Sequence, residues 1–206
     1  MTIAIGLSGY AQSGKTTAAN YIEAKYGVRR QHIAEPLREM LAVLLRANQV
    51  PEDMIPRYLT GDLKESLIPE IGRTSRELQI SLGTGWGREQ VHPDIWARTW
   101  RRGVRPFDRV MNDSVRFPNE EMAVQFNTGF TILIRRRGTH PIAYKWGAFG
   151  RLLYRWFRIM WGVHDSERTD RLAPNYVIHN DGSLDHLYAE IDEIMALEAM
   201  RPIGYA

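Results

Sequence analysis

The sequence of 206 residues is 44% hydrophobic and 25% charged, a composition typical of a globular chain that folds around its own core. Cysteine is absent, which excludes disulfide bonds, thiolate metal sites and cysteine nucleophiles. No run of about 18 apolar residues predicts a membrane span, and the first residues lack the basic segment of a signal peptide. We therefore expect a cytoplasmic protein without a membrane partner.

The formal net charge is only +3, which argues against a stable nucleic-acid partner, but the charge is unevenly distributed. Between Met122 and His164 the sequence has seven lysines and arginines and no acidic residue. We expect this basic segment to bind an anionic ligand.

The amino-terminal pattern predicts a strand, a glycine loop and a helix in succession. Residues 2–7 form a short apolar run typical of a buried parallel strand. Residues 15–25 have helical periodicity that ends at Gly27, and turn-forming residues 8–14 lie between the two. Residues 30–34 predict a second strand. A helix then opens at Pro36, with an apolar face made by Leu37, Met40, Leu41, Leu44 and Leu45.

Residues 36–102 are predicted to form a mainly helical insertion, with helices near 74–82 and from Pro93 to Arg102 and weak signals at 49–72. Alternation of strands and helices then resumes. Residues 109–113, 130–134 and 176–180 predict strands, and helices are expected to begin at Pro118 and Ser183. The prediction is a single α/β domain over residues 1–206, with a parallel sheet flanked by helices.

A phosphate-binding pattern lies between the first strand and the first helix. Gly9, Gly14, Lys15 and Thr16 satisfy G-x-x-x-x-G-K-[ST] in full. The glycines let main-chain N–H groups turn toward phosphate oxygens, the lysine reaches the β- and γ-phosphates, and the threonine hydroxyl can ligate magnesium. The pattern predicts a P-loop three-layer fold, the alternative being a glycine-rich turn that caps a helix. The predicted ATP site consists of Gly9, Ala11, Gln12, Ser13, Gly14, Lys15, Thr16 and Thr17.

Magnesium also needs an acidic residue at the end of a neighbouring strand. Asp113 ends the predicted strand 109–113, so we assign it to the metal site with Thr16 and to the catalytic group with Lys15. The alternative for Asp113 is a capping role in the turn before Pro118.

The basic segment predicts a lid over residues 138–163. Arg151, Arg155 and Arg158 follow helical i, i+4, i+7 spacing and share one face. A clamp of cations stabilises a phosphoryl group during transfer, so we assign catalytic roles to Arg151 and Arg155. A solvated arginine face or a membrane-surface helix is the alternative.

Arginines and tryptophans of the insertion are candidates for a second, acceptor site. Arginine suits a monophosphate, and tryptophan offers a surface on which a base can stack. Packing or simple surface charge is the alternative for each. The candidates from the residues alone are Arg38, Arg73, Arg76, Arg88, Trp86 and Trp96.

Four longer segments carry a further signal: S-L-G-T-G-W-G-R at 81–88, H-P-D-I-W at 92–96, D-S-V-R-F-P-N-E at 113–120 and H-D-S-E at 164–167. With the closing strand and its N-D-G turn, they resemble the phage-type deoxynucleoside monophosphate kinases over nearly the whole chain. The resemblance implies transfer of the γ-phosphoryl group of ATP, with Mg²⁺, to a deoxynucleoside 5′-monophosphate. It also implies that Arg88, Asp94 and Trp96 lie at the acceptor site and that Arg116 and Glu120 flank the reacting phosphates.

Two positions depart from that family's pattern. Gly85 stands where the family usually has glutamate, and Ser114 stands where it has a second aspartate. If the glutamate recognises the sugar or base, the substrate range differs here. If the second aspartate organises magnesium, Asp113 acts alone or Ser114 acts through water.

Two other functions fit the same loop. A kinase of another small molecule, such as dephospho-coenzyme A, shares the loop and an arginine-bearing lid, whereas a nucleotide-gated binding module needs no transfer at all. The expected partners are small nucleotides, and the sequence leaves a homodimer open. By the resemblance, a phage origin places the protein in the cytoplasm of the host.

Overall fold

The computed structural model describes residues 3–126, 128–139 and 171–199. The chain divides into two compact units, one formed by Met1–Gln31 with Val104–Ala206 and the other by His32–Gly103. The single domain with an insertion at 36–102 stays a prediction. Nearly all of the predicted lid, including Arg151 and Arg155, lies outside the described residues.

The helices and strands alternate along most of the chain. No helix among the described residues combines the length and the apolarity needed to cross a membrane. In chain order the elements are β1 (Ile3–Ser8), α1 (Lys15–Tyr26), β2 (Arg29–Arg30), α2 (Glu35–Ala47), α3 (Met54–Leu59), β3 (Leu67–Ile68), β4 (Arg73–Thr74), α4 (Ser75–Ile80), a π-helical segment (Ser81–Val91), α5 (Ile95–Gly103), β5 (Arg109–Asn112), α6 (Pro118–Phe126), β6 (Phe130–Arg135), β7 (Tyr176–His179) and α7 (Leu184–Ala199).

In the first unit, β1 is the central strand of a sheet with the order β2-β5-β1-β6-β7. Gly6 of β1 pairs with Asn112 of β5 on one side and with Thr131 of β6 on the other. All of these pairings are parallel, so the carboxyl ends of the strands lie at one edge of the sheet. The predicted α/β class with a parallel sheet is confirmed.

Helices cover both faces of this sheet. Side chains alternate along a strand, and Ile5 and Leu7 of β1 point to one face, where they join a buried cluster with α1 and α7. Gly6 points to the other face, toward Val124 of α6. The central strand is therefore buried on both sides in a three-layer arrangement, as its nearly continuous apolar sequence predicts.

Asp192 of α7 ties that helix to α1. Its carboxylate accepts hydrogen bonds from the Tyr21 and Tyr26 hydroxyls at 2.9 and 2.6 Å and pairs with Lys25 Nζ at 2.7 Å. Tyr21 also stacks on Tyr188, with ring centroids 4.0 Å apart. Partial burial, helped by the hydrogen bond to Asp192, raises the pKa of Tyr26 to about 12. The hydrogen bond from Lys25 lowers the pKa of Asp192.

The second unit consists of helices and the β3–β4 hairpin. α2 buries Leu37, Leu41 and Leu45, whereas Met40 and Leu44, which were predicted on the same face, are each 41% exposed. The buried stripe of α2 is therefore narrower than its apolar sequence predicts. The other large buried side chains of the unit include Ile33, Ile55, Tyr58, Leu59, Ile68, Trp96 and Trp100.

Two predicted elements have different bounds in the structure. The second strand, predicted at 30–34, is wrong in extent: β2 has two residues because it pairs only with Val110 and Met111 of β5, and the chain enters the second unit at His32. The helix predicted near 74–82 continues as the π-helical segment, which contains three glycines. Repeated glycine weakens an ordinary helix, and no periodicity predicted this continuation.

Candidate functional site

The glycine loop of residues 9–14 begins where β1 ends, at the carboxyl edge of the sheet. From β1 the chain passes through α1 to β2, which lies beyond β5, whereas α6 leads from β5 to β6 on the opposite side of β1. The connections therefore diverge around β1. A switch point of this kind leaves a crevice for ligands at the carboxyl ends of parallel strands.

Two glycines shape the loop, and each lies against a neighbouring strand end. Gly9 and Gly14 have φ values of 143° and 103°, which disfavour any side chain. A Cβ on Gly9 would collide with the carbonyl oxygen of Ile134 in β6, and one on Gly14 would collide with the side-chain amide of Asn180, just after β7. The packing of the loop against the sheet therefore requires glycine at both positions, independently of any bound ligand.

The loop leads into α1, whose first turn carries the predicted phosphate contacts. Lys15 Nζ donates to the carbonyl oxygens of Gly9 and Tyr10, both at 2.7 Å, so the ammonium group lies over the loop. Thr16 is exposed and Thr17 is half-buried in the same turn. The first amides of a helix have no partner within it and attract anions. The structure brings these groups together at one end of α1.

The remaining loop residues differ in accessibility. Ala11 and Gln12 are exposed, and Gln12 has a φ of 63°. Ser13 is fully buried, and within the described part of the chain its hydroxyl has no hydrogen-bond partner. Buried polar groups are rarely left unpaired, so this hydroxyl is an exception within the loop.

Asp113 follows β5, the strand beside β1, at the same edge of the sheet as the loop. It is 9% exposed, and its Oδ2 lies 3.5 Å from Arg30 Nη1. Arg30 also contacts Glu23 at 3.0 Å and Asn20 at 2.7 Å, so it ties the Asp113 carboxylate to α1. Sequence reasoning missed Arg30, although an arginine inside a predicted short strand was a signal that it serves a buried partner.

The turn after Asp113 is fixed by main-chain hydrogen bonds. The Val115 N–H donates to the Leu7 carbonyl of β1 at 2.9 Å. The buried Glu120 carboxylate accepts the Arg116 N–H at 2.8 Å. Glu120 therefore supports the turn that presents Asp113 at the sheet edge, and Arg116 is held in that turn through its backbone.

A metal ion at this edge would depend on few protein ligands. Across residues 3–126, 128–139 and 171–199, no three histidine, aspartate or glutamate side chains form a group that could hold one. Magnesium keeps several waters and commonly takes one or two protein oxygens beside substrate phosphates. The exposed Thr16 hydroxyl and the Asp113 carboxylate therefore fit magnesium bound together with a polyphosphate.

In the second unit the two predicted tryptophans have different surroundings. Trp96 is 5% exposed, its Nε1 donates to the Gly83 carbonyl at 2.8 Å, and a Cβ on Gly87 would lie 2.6 Å from its ring. Trp86 is 40% exposed, with its ring centroid 6.4 Å from that of Trp96. Trp96 thus braces the π-helical segment, and Trp86 presents the open ring surface.

The other acceptor candidates of the second unit lie around the same segment, in α2, and in β4 and α4. Gly85, where the family pattern has glutamate, has space for a side chain, because no described atom lies within 4 Å of a Cβ built there. The Asp94 N–H donates to His92 Nδ1 at 3.0 Å. The arginines contact neighbouring groups: Arg88 the Pro93 carbonyl at 3.2 Å, Arg38 the Glu35 carboxylate at 3.3 Å and Arg76 the Glu65 carboxylate at 3.3 Å.

The parallel sheet, its switch point and the phosphate loop define a P-loop α/β protein. No family model matches the sequence. The chain is 31% identical over 160 residues to a protein of Acanthamoeba polyphaga mimivirus provisionally named a deoxynucleotide monophosphate kinase, a match that covers 68% of this chain and 79% of that protein. The chain belongs to the deoxynucleotide monophosphate kinase family and is a kinase of the P-loop type. The family predicted from the sequence is thereby confirmed.

Some solved structures are similar to the chain at low sequence identity. TT1252 from Thermus thermophilus is 18% identical with a TM-score of 0.46, over 95% of this chain and 97% of that chain. Shikimate kinase from Aquifex aeolicus is 12% identical with a TM-score of 0.42, over 96% and 99%.

Proposed function

We propose that this kinase transfers the γ-phosphoryl group of ATP to a deoxynucleoside 5′-monophosphate and forms a deoxynucleoside diphosphate and ADP. The observation that carries the proposal is the complete phosphate loop, with Lys15 folded over it, at the carboxyl end of the central strand. The name of the mimivirus relative supports a deoxynucleotide as the acceptor.

The donor site is the glycine loop with the first turn of α1. Main-chain amides from Gly9 to Thr17 are assigned to the β- and γ-phosphates, including those of Ala11, Gln12, Ser13 and Gly14. The Ser13 N–H donates to the Tyr10 carbonyl at 3.2 Å in this structure. The Lys15 ammonium exchanges the carbonyl oxygens of Gly9 and Tyr10 for charged phosphate oxygens. Because those carbonyls already place Nζ above the loop, the exchange requires little movement of the side chain.

Magnesium belongs to this donor site. Thr16 and Asp113 would hold it together with phosphate oxygens, and it would supply neutralisation of the charge that develops on the leaving diphosphate. Arg30 fixes the orientation of the Asp113 carboxylate through the contact at 3.5 Å. Ser114, at the position of the second aspartate, has its N–H directed to the Asn112 side-chain oxygen at 3.3 Å.

The acceptor site belongs to the second unit. Trp86 offers its exposed ring to the base, while Arg88 and Asp94 lie near it along the chain and supply polar contacts to the nucleotide. Trp96 acts by bracing the segment that carries Trp86 and Arg88. Within this unit the monophosphate is assigned to Arg38 and Arg76. Arg116 and Glu120 belong to the first unit, and their assignment to the reacting phosphates rests on the family resemblance alone.

The chemistry needs positioning and charge more than a general base. An oxygen of the acceptor monophosphate is already anionic; it forms a bond to the γ-phosphorus while the bond from that phosphorus to the bridging oxygen breaks, and the electron pair leaves with ADP. Lys15 stabilises the charge on the transferred group. Arg151 and Arg155 are assigned the same task from the lid, an assignment that rests on their spacing in the sequence.

A panel of acceptors tests the proposal. The four deoxynucleoside monophosphates, their ribonucleotide counterparts and dephospho-coenzyme A are incubated separately with ATP and Mg²⁺, and the products are separated by ion-exchange chromatography. We expect at least one deoxynucleoside diphosphate, formed together with ADP. Phosphorylation of dephospho-coenzyme A alone, or ATP binding without any phosphorylated product, would replace the proposal with one of the two alternatives.

A further inference from the structure

We infer that Asn180 is a positioning residue of the donor site, which sets the direction of a main-chain amide in the phosphate loop. The inference rests on the proposed function, because it assigns a role in ATP binding to a residue outside the P-loop pattern. Asn180 follows β7, the edge strand beside β6, and is 8% exposed.

The contacts of Asn180 with the loop are direct. Its Nδ2 donates to the Ser13 carbonyl oxygen at 2.9 Å, and the same amide occupies the space that a Cβ on Gly14 would need. A carbonyl oxygen can only accept, so the nitrogen of the side-chain amide is the atom that faces it. Asn180 therefore both holds the Ser13 carbonyl and closes one side of Gly14.

The peptide group between Ser13 and Gly14 links the contact of Asn180 with the Ser13 carbonyl to the phosphate site. The peptide bond is planar and trans, so the Ser13 carbonyl and the Gly14 N–H point in opposite directions. A fixed Ser13 carbonyl fixes the Gly14 N–H, which is one of the amides assigned to the phosphates. Donors oriented in advance bind an anion without reorganisation of the loop.

Asn180 is itself held by the end of β6. Its N–H donates to the Arg135 carbonyl at 2.8 Å. The next residue, Asp181, accepts the Arg137 N–H at 2.7 Å and pairs with the Arg137 Nε at 3.2 Å. These hydrogen bonds fix the turn after β7 to β6, the strand beside β1. The Asn180 side-chain amide therefore contacts the phosphate loop from a fixed position.

The contacts at position 180 favour asparagine over alanine and aspartate. Alanine would leave the Ser13 carbonyl without its buried donor, at a cost comparable to that of a lost hydrogen bond. Aspartate has the same shape but would place a carboxylate against a carbonyl oxygen and close to a polyphosphate, so both neighbours would repel it. We therefore expect Asn180→Asp to impair ATP binding more than Asn180→Ala.

The test measures whether substitutions of Asn180 change the KM for ATP without changing kcat. For Asn180→Ala we expect the KM for ATP to rise about tenfold, because the loss of one buried hydrogen bond corresponds to roughly one power of ten in affinity. The KM for the acceptor and the kcat at saturating ATP should stay within about twofold of wild type, since the same loop is reached once ATP is bound. Asn180→Asp should raise the KM for ATP further.

Asn175 provides a matched control at the other end of the same strand. Its Oδ1 accepts the Thr131 N–H at 2.9 Å and the Thr131 hydroxyl at 3.2 Å. These contacts lie at the amino-terminal edge of the sheet, opposite the edge that carries the phosphate loop. Asn175→Ala should lower the midpoint of thermal unfolding and leave the KM for ATP unchanged. A purely structural role for Asn180 predicts that Asn180→Ala behaves in the same way.

Calorimetric titration with ADP supplies a second measurement that does not need turnover. Weaker ADP binding by Asn180→Asp than by wild type, with both proteins folded by circular dichroism, supports the inference. Wild-type affinity and wild-type KM for ATP in the Asn180 variants would overturn it and leave the proposed function intact. A wild-type protein that binds no ADP and forms no diphosphate would instead overturn the proposed function.

Discussion

Replacement of Lys15 by alanine tests the residue on which the donor site depends most. Lys15 Nζ contacts two neutral carbonyl oxygens at 2.7 Å, and the proposed reaction replaces them with charged phosphate oxygens. Opposite unit charges about 3 Å apart interact by about 5 kcal/mol at the effective dielectric constant of about 20 that describes protein sites. If that interaction is made mainly in the transition state, its loss slows turnover by roughly three to four powers of ten.

The assay follows ADP formation at saturating ATP and acceptor, with urea unfolding of the same preparations. Lys15→Ala removes two hydrogen bonds to partly buried carbonyls, so its free energy of unfolding should fall by no more than about 1–2 kcal/mol. Lys25→Ala changes a lysine at the other end of α1 and should keep wild-type turnover. Turnover of Lys15→Ala within about tenfold of wild type would refute the role of the ammonium group.

Three further predictions concern the metal site, the packing of the second unit and the pH dependence of stability. Asp113→Asn keeps the shape of the side chain and removes its charge, so turnover should fall about a hundredfold and the magnesium concentration for half-maximal rate should rise; an unchanged magnesium dependence would remove Asp113 from the metal site. Gly87→Ala should lower the free energy of unfolding by about 1–3 kcal/mol, because the added Cβ would lie 2.6 Å from the Trp96 ring; an unchanged urea midpoint would contradict this packing. The hydrogen bond from Lys25 lowers the pKa of Asp192 below its ordinary 3.8, so its stabilisation is present above that pH and is lost as the pH falls and the folded carboxylate becomes protonated. Asp192→Asn should lack this acid-sensitive component, and identical stability profiles for variant and wild type below pH 4 would count against it.

The strand, loop and helix at the amino end could be predicted because their signals are adjacent in the chain. The strand order could not, since it depends on pairing between distant residues such as Ile3 and Arg109. The apolar face of α2 shows a similar limit: Met40 and Leu44 have the helical spacing of core residues, yet the neighbouring helices cover only part of that face. Periodicity predicts which side of a helix is apolar, whereas tertiary contacts decide how much of it is buried.

The candidate site was predictable to a similar degree. The loop and Lys15 follow from one motif, but the burial of Trp96 depends on the Gly83 carbonyl and the closeness of Gly87 in a π-helical segment. The contact of Asn180 with Ser13 joins residues 167 positions apart. Contacts of this kind leave no local pattern, so sequence reasoning found the phosphate loop and missed the side chains that hold it.

The partition of a radioactive label tests the central claim most directly. Wild-type protein is incubated with Mg²⁺, ATP labelled at the γ-phosphorus and a mixture of the four deoxynucleoside monophosphates. The account predicts label in a deoxynucleoside diphosphate, in amounts equal to the ADP formed. Label recovered only in inorganic phosphate, or retained entirely in ATP, would contradict transfer to a nucleotide.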